Sequence, residues 1–233
     1  MSLAGLALLG FVLGMSHAFE ADHLAAVVSL STRARSTADG IRMGVAWGLG
    51  HSITLLLVGA LVLSVDAVVP ESLASALELG VGVMLVVLGL SVWHRLWSRR
   101  VHFHVHEHDD GTTHFHAHAH DRVREAEEHD HAHGLPGRAV FVGLIHGTAG
   151  SAALVLLALE QASSLGSGLL YIAIFGLGSV LGMALLSAAI SIPLRWSAGG
   201  LTRVHNGVEA VVGAITVGIG CFVILEHLHV LTF

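Results

Sequence analysis

Seven residues near the N-terminus constrain this chain more than any others. The run His17-Ala-Phe-Glu-Ala-Asp22-His23 carries two imidazoles and two carboxylates, Glu20 and Asp22, inside an apolar stretch that extends from Leu3 to Leu30. Ionisable groups at membrane depth are costly, so they face a protein interior or a watery cavity and mark an ion or proton path. On an ideal helix Glu20 falls between His17 and His23, an i,i+3 neighbour of each. The two histidines would still stand about 9 Å apart along the axis, too far to share one ion easily. Asp22 would point away from Glu20. Two arrangements stay open: a helix broken at this run, or an Asp22 that orients a histidine or meets another helix.

The rest of the chain decides whether that stretch lies in lipid. Of 233 residues, 54% are hydrophobic and 12% charged, against about a quarter charged in a soluble domain. Windows of roughly 20 apolar residues recur, the length that crosses a bilayer as a helix. They predict an all-α membrane protein of six transmembrane helices: Leu3–Leu30, Ile41–Leu63, Leu73–Trp93, Arg138–Leu159, Gly168–Ile192 and His205–Leu225. Pro193 is expected to end the fifth, and Pro70 to lie in a short turn with Asp66 and Glu71. The 28 glycines suit close helix contacts in lipid. All eleven basic residues are arginine; without lysine there is no P-loop to burn ATP. A single cysteine, Cys221, excludes an intrachain disulfide and a thiolate zinc cluster. No basic segment precedes the first apolar run, so a cleaved signal peptide is not expected.

Arginine placement orients the helices. Arg33, Arg35 and Arg42 belong to the first loop, Arg95, Arg99, Arg100, Arg122, Arg124 and Arg138 to the third, and Arg195 and Arg203 to the fifth. Arginine-rich loops stay cytoplasmic. The odd loops are therefore inside, both termini are outside, and the chain is a multi-pass protein of the cytoplasmic membrane.

The two ends of the chain also resemble each other. Gly14-Met-Ser-His17 matches Gly143-Leu-Ile-His146, Trp47-Gly-Leu-Gly-His51 matches Phe175-Gly-Leu-Gly-Ser179, and Glu78-Leu-Gly-Val-Gly82 matches Glu209-Ala-Val-Val-Gly213. The offsets are 129, 128 and 131 residues, in one order. Three helices per half is an odd number, so the halves would enter the membrane from opposite sides, an inverted repeat with its site near the midplane. Shared Gly/Leu-rich composition is the plainer explanation of the matches. The predicted division is 1–95 for the first repeat, 96–137 for a loop, and 138–233 for the second repeat.

That loop differs from everything around it. It carries 11 of the 19 histidines: His102, His104, His106, His108, His114, His116, His118, His120, His129, His131 and His133. Histidines at every second residue would line one face of an extended chain, but the composition favours disorder. Histidine-rich tracts bind metal by composition; a solvated linker or a pH-responsive loop are the alternatives.

Further candidate ligands lie within the spans. His51 sits mid-span in the second helix beside Gly50, and His146 near the start of the fourth beside Gly147, where glycine lets a backbone or an ion come close. The candidate metal set is His17, Glu20, Asp22, His23, His51 and His146. Imidazole with carboxylate suits Ni²⁺, Co²⁺ and Zn²⁺, and the lack of thiolate disfavours Cu(I). Any one of these histidines alone would as readily be a buried group bonded across helices. His205 and Glu209 read as an interfacial pair, Met15 and Met43 as packing, and Glu226, His227 and His229 as groups near the outer mouth.

The spacing His17-x4-Asp22-His23 in an early helix, followed by Gly50-His51-Ser52 in the next, resembles the nickel/cobalt transporter superfamily. The similarity is greatest to its compact six-helix branch of urease-accessory and high-affinity nickel permeases, and it extends to His146-Gly147. It implies Ni²⁺ or Co²⁺ translocation that needs His17, Asp22, His23 and His51. Classical uptake members are longer, with eight helices, and a long His-rich loop also resembles the efflux branch. In that branch the motif's aspartate is replaced, so Asp22 implies uptake.

The expectation is a secondary transporter of Ni²⁺ or Co²⁺ working inward, with no prosthetic group. Proton-coupled efflux, zinc transport, and a membrane metal sensor or storage protein are the rivals. Enzymatic function is not expected, since no nucleophile elbow or H-E-x-x-H motif is present. The expected partners are the ion and the bilayer, with a second copy or a cytoplasmic metallochaperone as further candidates; nucleic acid is not among them.

Overall fold

The computed structural model describes residues 2–32, 34, 36–65, 70–98, 101–107, 113–119, 134–149, 164–198 and 202–232. Helix α1, Leu3–His17, starts at Ser2, whose hydroxyl accepts the Gly5 N–H at 3.2 Å. It stops at the polar run. Glu20 is extended (φ −63°, ψ 152°), and α2, Ala21–Ser31, leaves at a bend of 59°. The first predicted span is therefore a broken helix. The long helices follow: α3 Thr37–Val65, α4 Glu71–Ser98, α5 Gly134–Ala149, α6 Leu165–Ala198 and α7 Thr202–Thr232.

Among the described residues, α3, α4, α6 and α7 are each long and apolar enough to cross a membrane, and the bent pair α1–α2 adds a fifth if the two pieces are taken as one span. The predicted fourth span, Arg138–Leu159, begins earlier, at Gly134, and is described only as far as Ala149. Pro193 does not end its helix: α6 continues to Ala198. A proline withholds one N–H from the ladder and crowds the carbonyl four residues before it, but the turns beyond continue.

Part of the histidine-rich segment is regular. Strands β1, Val101–Glu107, and β2, Thr113–Ala119, pair antiparallel, with His102 opposite His118, His104 opposite His116 and His106 opposite His114. Disorder was the expectation over 96–137. In these two stretches the period-two pattern matches the pleat of a strand. His108, His120, His129, His131 and His133 lie outside the described residues.

The helices pack in reciprocal pairs. α4 lies along α7, α3 packs on both α6 and α5, and α1 packs on α6. Exchanging α1 with α5, α3 with α6 and α4 with α7 maps this set of pairs onto itself. Residue contacts follow the same exchange. A side chain at Gly14 would meet the Phe175 backbone, and one at Gly143 the Trp47 backbone; these are the counterparts named by the sequence matches. Between α4 and α7, Gly82 abuts Gly220 and Gly89 abuts Gly213. The numbers rise on one helix as they fall on the other, so the two run antiparallel. Small residues at these crossings let backbones touch and gather dispersion contacts where no hydrophobic drive exists.

Buried side chains, including Trp47, Leu85 and Met183, form the core, and a second cluster gathers around Tyr171, Leu55 and Phe175. The outer surface is apolar: Leu57 and Leu61 are each 66% exposed, and Leu177 and Phe222 nearly as much. Such a surface suits lipid and not water. One polar clasp ties α2 to α7, where the Ser29 and Thr216 hydroxyls meet at 2.9 Å, both buried. Thr216→Val removes that bond and keeps the shape. It is expected to lower stability by about 0.6 kcal/mol, and by no more than about 1.7, in unfolding titrations in mixed micelles. The hydroxyl also lies 2.9 Å from the Val212 carbonyl of its own helix, so a larger loss would mean that the valine disturbs the packing of α2 on α7.

Candidate metal centre

The break between α1 and α2 creates the site. His17 lies in the last turn of α1 and Asp22 in the first turn of α2. Because the chain turns at Glu20, the His17 and His23 rings come to 4.3 Å between centroids, where an unbroken helix would hold them about 9 Å apart along its axis. His51 enters from the middle of α3, with centroids 5.3 Å from His17 and 5.1 Å from His23. His146 enters from the last turn of α5, 4.1 Å from His23 and 5.9 Å from His51. Four imidazoles from four helices thus meet in one place. The glycines beside them set the approach: a side chain at Gly147 would meet the His51 carbonyl and Thr54, and one at Gly143 would approach the His51 backbone.

The carboxylates orient the rings. Asp22 Oδ1 accepts from the His23 backbone N–H at 2.9 Å and from the His23 Nδ1 side at 3.1 Å. Asp22 Oδ2 accepts from His146 Nε2 at 2.9 Å, and Glu20 Oε1 from His17 Nδ1 at 2.7 Å. A carboxylate accepts, so the ring nitrogen facing it carries the proton, and in a neutral ring the other nitrogen keeps its lone pair. The lone pairs then belong to His17 Nε2, His23 Nε2 and His146 Nδ1. His23 Nε2, His146 Nδ1 and both nitrogens of His51 are buried with no hydrogen-bond partner. Buried polar atoms are almost always partnered, so several orphans in one cluster point to an absent ligand. A carboxylate behind an imidazole is the usual support of a histidine that binds metal.

Among the described residues, two groups could hold an ion, His17–His23–His51 and Asp22–His23–His146, each with donor atoms within 4.8 Å of one another. In the second, Asp22 already bonds both histidines, so its short distances follow from that network. The first offers three imidazoles with lone pairs to spare. Trp47 and Phe175 wall the cluster: Trp47 lies 5.4 Å from His23, and Phe175 lies 5.4 Å from His17. The C-terminal end of α1, where the helix dipole is negative, favours a cation beside His17.

A cleft of about 330 Å³ reaches the cluster, lined by His17, Glu20, Asp22, His23, His146 and Glu78, with Ile219, Phe222 and Val223 of α7 as its apolar side. All six residues expected to bind metal are therefore together. Sequence reasoning missed Glu78 as a site residue, using it only to mark a repeat. Its signal was the one available for Asp22, a carboxylate inside an apolar span. Trp47 and Phe175 carry no such signal in the sequence beyond their place in the matched stretches. His227 stands one turn beyond Val223 and donates from Nδ1 to the Val223 carbonyl at 3.0 Å. Met43 is buried packing, as expected. Glu209 is buried, while the side chains of His205 and His229 lie outside the described residues.

Comparison with known proteins gives the family. The family described as high-affinity nickel-transport protein, NicO, matches residues 3–229. The urease accessory protein UreH of Bacillus sp. (strain TB-90) is 35% identical over 221 residues, which cover 94% of this chain and 90% of that protein. No solved structure matches.

Proposed function

The chain belongs to the NicO family of high-affinity nickel-transport proteins, and from that premise we propose that it carries Ni²⁺, and Co²⁺ on the same ligands, inward across the cytoplasmic membrane. The observation that supports this most is the cluster of His17, His23 and His51, whose donor atoms lie within 4.8 Å of one another in a body of apolar helices. Imidazole suits both ions, and carboxylates behind the rings supply the negative charge that a buried dication needs.

In this reading the ion loses water at the cleft and exchanges it for His17 Nε2, His23 Nε2 and a His51 nitrogen. Asp22 and Glu20 hold the rings and balance charge, and His146, tied to Asp22, closes the far side. The body has six spans in two inverted halves, a reading supported by the reciprocal contacts of Gly14 with Phe175 and Gly143 with Trp47. The halves rock about the cluster to expose it to either face. Both termini face outside and residues 96–137 face the cytoplasm, by the arginine distribution. The membrane potential supplies about 2.3 kcal/mol per charge per 100 mV, so a dication gains about twice that on entry and needs no co-ion.

The direct test is accumulation of radiolabelled Ni²⁺ in cells making the protein. Accumulation above vector-only cells, reduced by excess Co²⁺, is the expected result. Accumulation below the vector, with better nickel tolerance, would reverse the direction. No effect with either ion would refute the cargo.

The histidine-rich segment acts as a reservoir on the exit side and not as part of the path. Deleting residues 102–133 is therefore expected to leave the initial rate of uptake unchanged and to reduce the nickel retained by the purified protein. A lost initial rate, with the protein present in the membrane, would place these histidines in the path.

A further inference from the structure

Two glutamates occupy matching places in the two halves. Glu78 is the eighth residue of α4 (Glu71–Ser98), and Glu209 is the eighth of α7 (Thr202–Thr232). They head the matched stretches Glu78-Leu-Gly-Val-Gly82 and Glu209-Ala-Val-Val-Gly213. The helices that carry them are antiparallel, with Gly82 against Gly220 and Gly89 against Gly213. At that register Glu209 is level with Trp93, and the Trp93 indole N–H donates to the neighbouring Ala210 carbonyl at 3.0 Å. Trp93 lies fifteen residues beyond Glu78, so the two carboxylates stand about 22 Å apart along the helix pair. One is near each end.

Their surroundings differ. Glu78 is half-buried and lines the 330 Å³ cleft together with Asp22, His23 and His146. In that cleft's lining, His23 is 1% exposed, and its Nε2 has no partner. Glu209 is also 1% exposed. On the same helix pair Thr216, two turns beyond Glu209, meets Ser29 of α2, and Arg95, two residues beyond Trp93, donates to Thr32 Oγ1 at 2.7 Å. The same residue type thus faces an open path at one end of the helix pair and is shut in at the other.

We propose that Glu78 and Glu209 are alternating gate carboxylates, each drawing the dication to the imidazole cluster from its own face, and that the structure is the state open toward Glu78. The proposal rests on the reading of the cluster as the ion site. Reciprocal packing means that each half can adopt the other's conformation, so Glu209 takes the place of Glu78 when the opposite face opens. A carboxylate in a cleft with apolar walls concentrates cations there, and it releases the ion once the path behind it closes. Neither glutamate needs to stay bound to the ion at the cluster, so each acts on entry from one side only.

The test measures initial entry of radiolabelled Ni²⁺ into right-side-out and inside-out membrane vesicles holding the full-length protein. Glu78→Gln is expected to raise the half-saturating Ni²⁺ concentration at least about tenfold in right-side-out vesicles, with the maximal rate kept and inside-out vesicles unaffected. Glu209→Gln should do the reverse. Because Glu209 is buried, Glu209→Asp is the control: it keeps the charge and should restore entry from the Glu209 face. Equal effects on both faces, no effect on either, or a Glu209→Asp protein present in the membrane but as defective as Glu209→Gln would overturn the paired gates. Asp22→Asn separates the two readings, since it should stop entry from both faces. If it does not, the cluster reading fails whatever the glutamates do.

Discussion

Asp22→Asn is expected to reduce Ni²⁺ accumulation to the level of vector-only cells with the protein still present in the membrane. The substitution preserves size and shape, so packing is not the cause. Both carboxylate oxygens are in use: Oδ1 accepts from His23, and Oδ2 accepts from His146 at 2.9 Å. Asparagine offers one acceptor and a donating amide. Whichever way it turns, an amide N–H meets a ring N–H, and either His23 or His146 must rotate or change tautomer. His23 is the more consequential, because its Nε2 belongs to the three-imidazole group. Loss of a carboxylate behind a metal-binding histidine costs about 10- to 100-fold in affinity. Here the loss also removes a full negative charge beside a buried dication. Both effects weaken occupancy of the ion on the path, so they add. Isothermal titration of Ni²⁺ into the purified protein should show the same loss. Wild-type uptake by Asp22→Asn would mean that the ion passes without the His23 orientation, and the cluster would no longer explain transport.

Gly143→Leu is expected to abolish both the metal site and the folded body. A side chain at residue 143 would overlap the Trp47 carbonyl and press on the His51 backbone. The obstruction is main chain in the middle of α3, which cannot swing aside as a side chain would. Overpacking a close-packed core costs about 1–3 kcal/mol or more, and a helix forced off its neighbour belongs at or above the upper end. The shift would also part His51 from His146, whose centroids now lie 5.9 Å apart. Gly218→Leu is the matched control, since nothing lies within 4 Å of the position where its side chain would start. Thermal unfolding in detergent, followed by size-exclusion profile, should show a large loss for Gly143→Leu and a near-native curve for Gly218→Leu. Equal behaviour of the two would mean that α3 and α5 do not depend on that contact.

Much of the site was legible because its chemistry is rare in lipid. His17, Glu20, Asp22, His23, His51 and His146 stood out as ionisable groups in apolar spans, and all six converge. Glu78 meets the same criterion, a carboxylate inside an apolar span, and lines the same cleft. The roles within the cluster were not legible. Helical spacing assumes an unbroken axis, and the extended backbone at Glu20 voids that assumption. Pro193 misled for a related reason: a proline perturbs one rung of a helix, and whether the chain continues depends on what packs beyond it. In β1 and β2, composition argued for disorder, while the alternation of histidines already carried the strand pattern.

The sequence by itself determined the solvent and the chemistry. Few charges and apolar windows of about 20 residues point to a helical membrane body, because lipid leaves only helices and closed barrels to satisfy backbone hydrogen bonds, and windows of that length fit the helix. Histidine and carboxylate without thiolate restrict the ligand to a borderline divalent ion. The tertiary structure alone decided which groups share a site. The 59° bend brought His17 to His23, and the glycine contacts of α3 with α5 brought His51 to His146. Those distances come from how closely backbones distant in sequence can touch, a property of pairs of helices that no single segment contains.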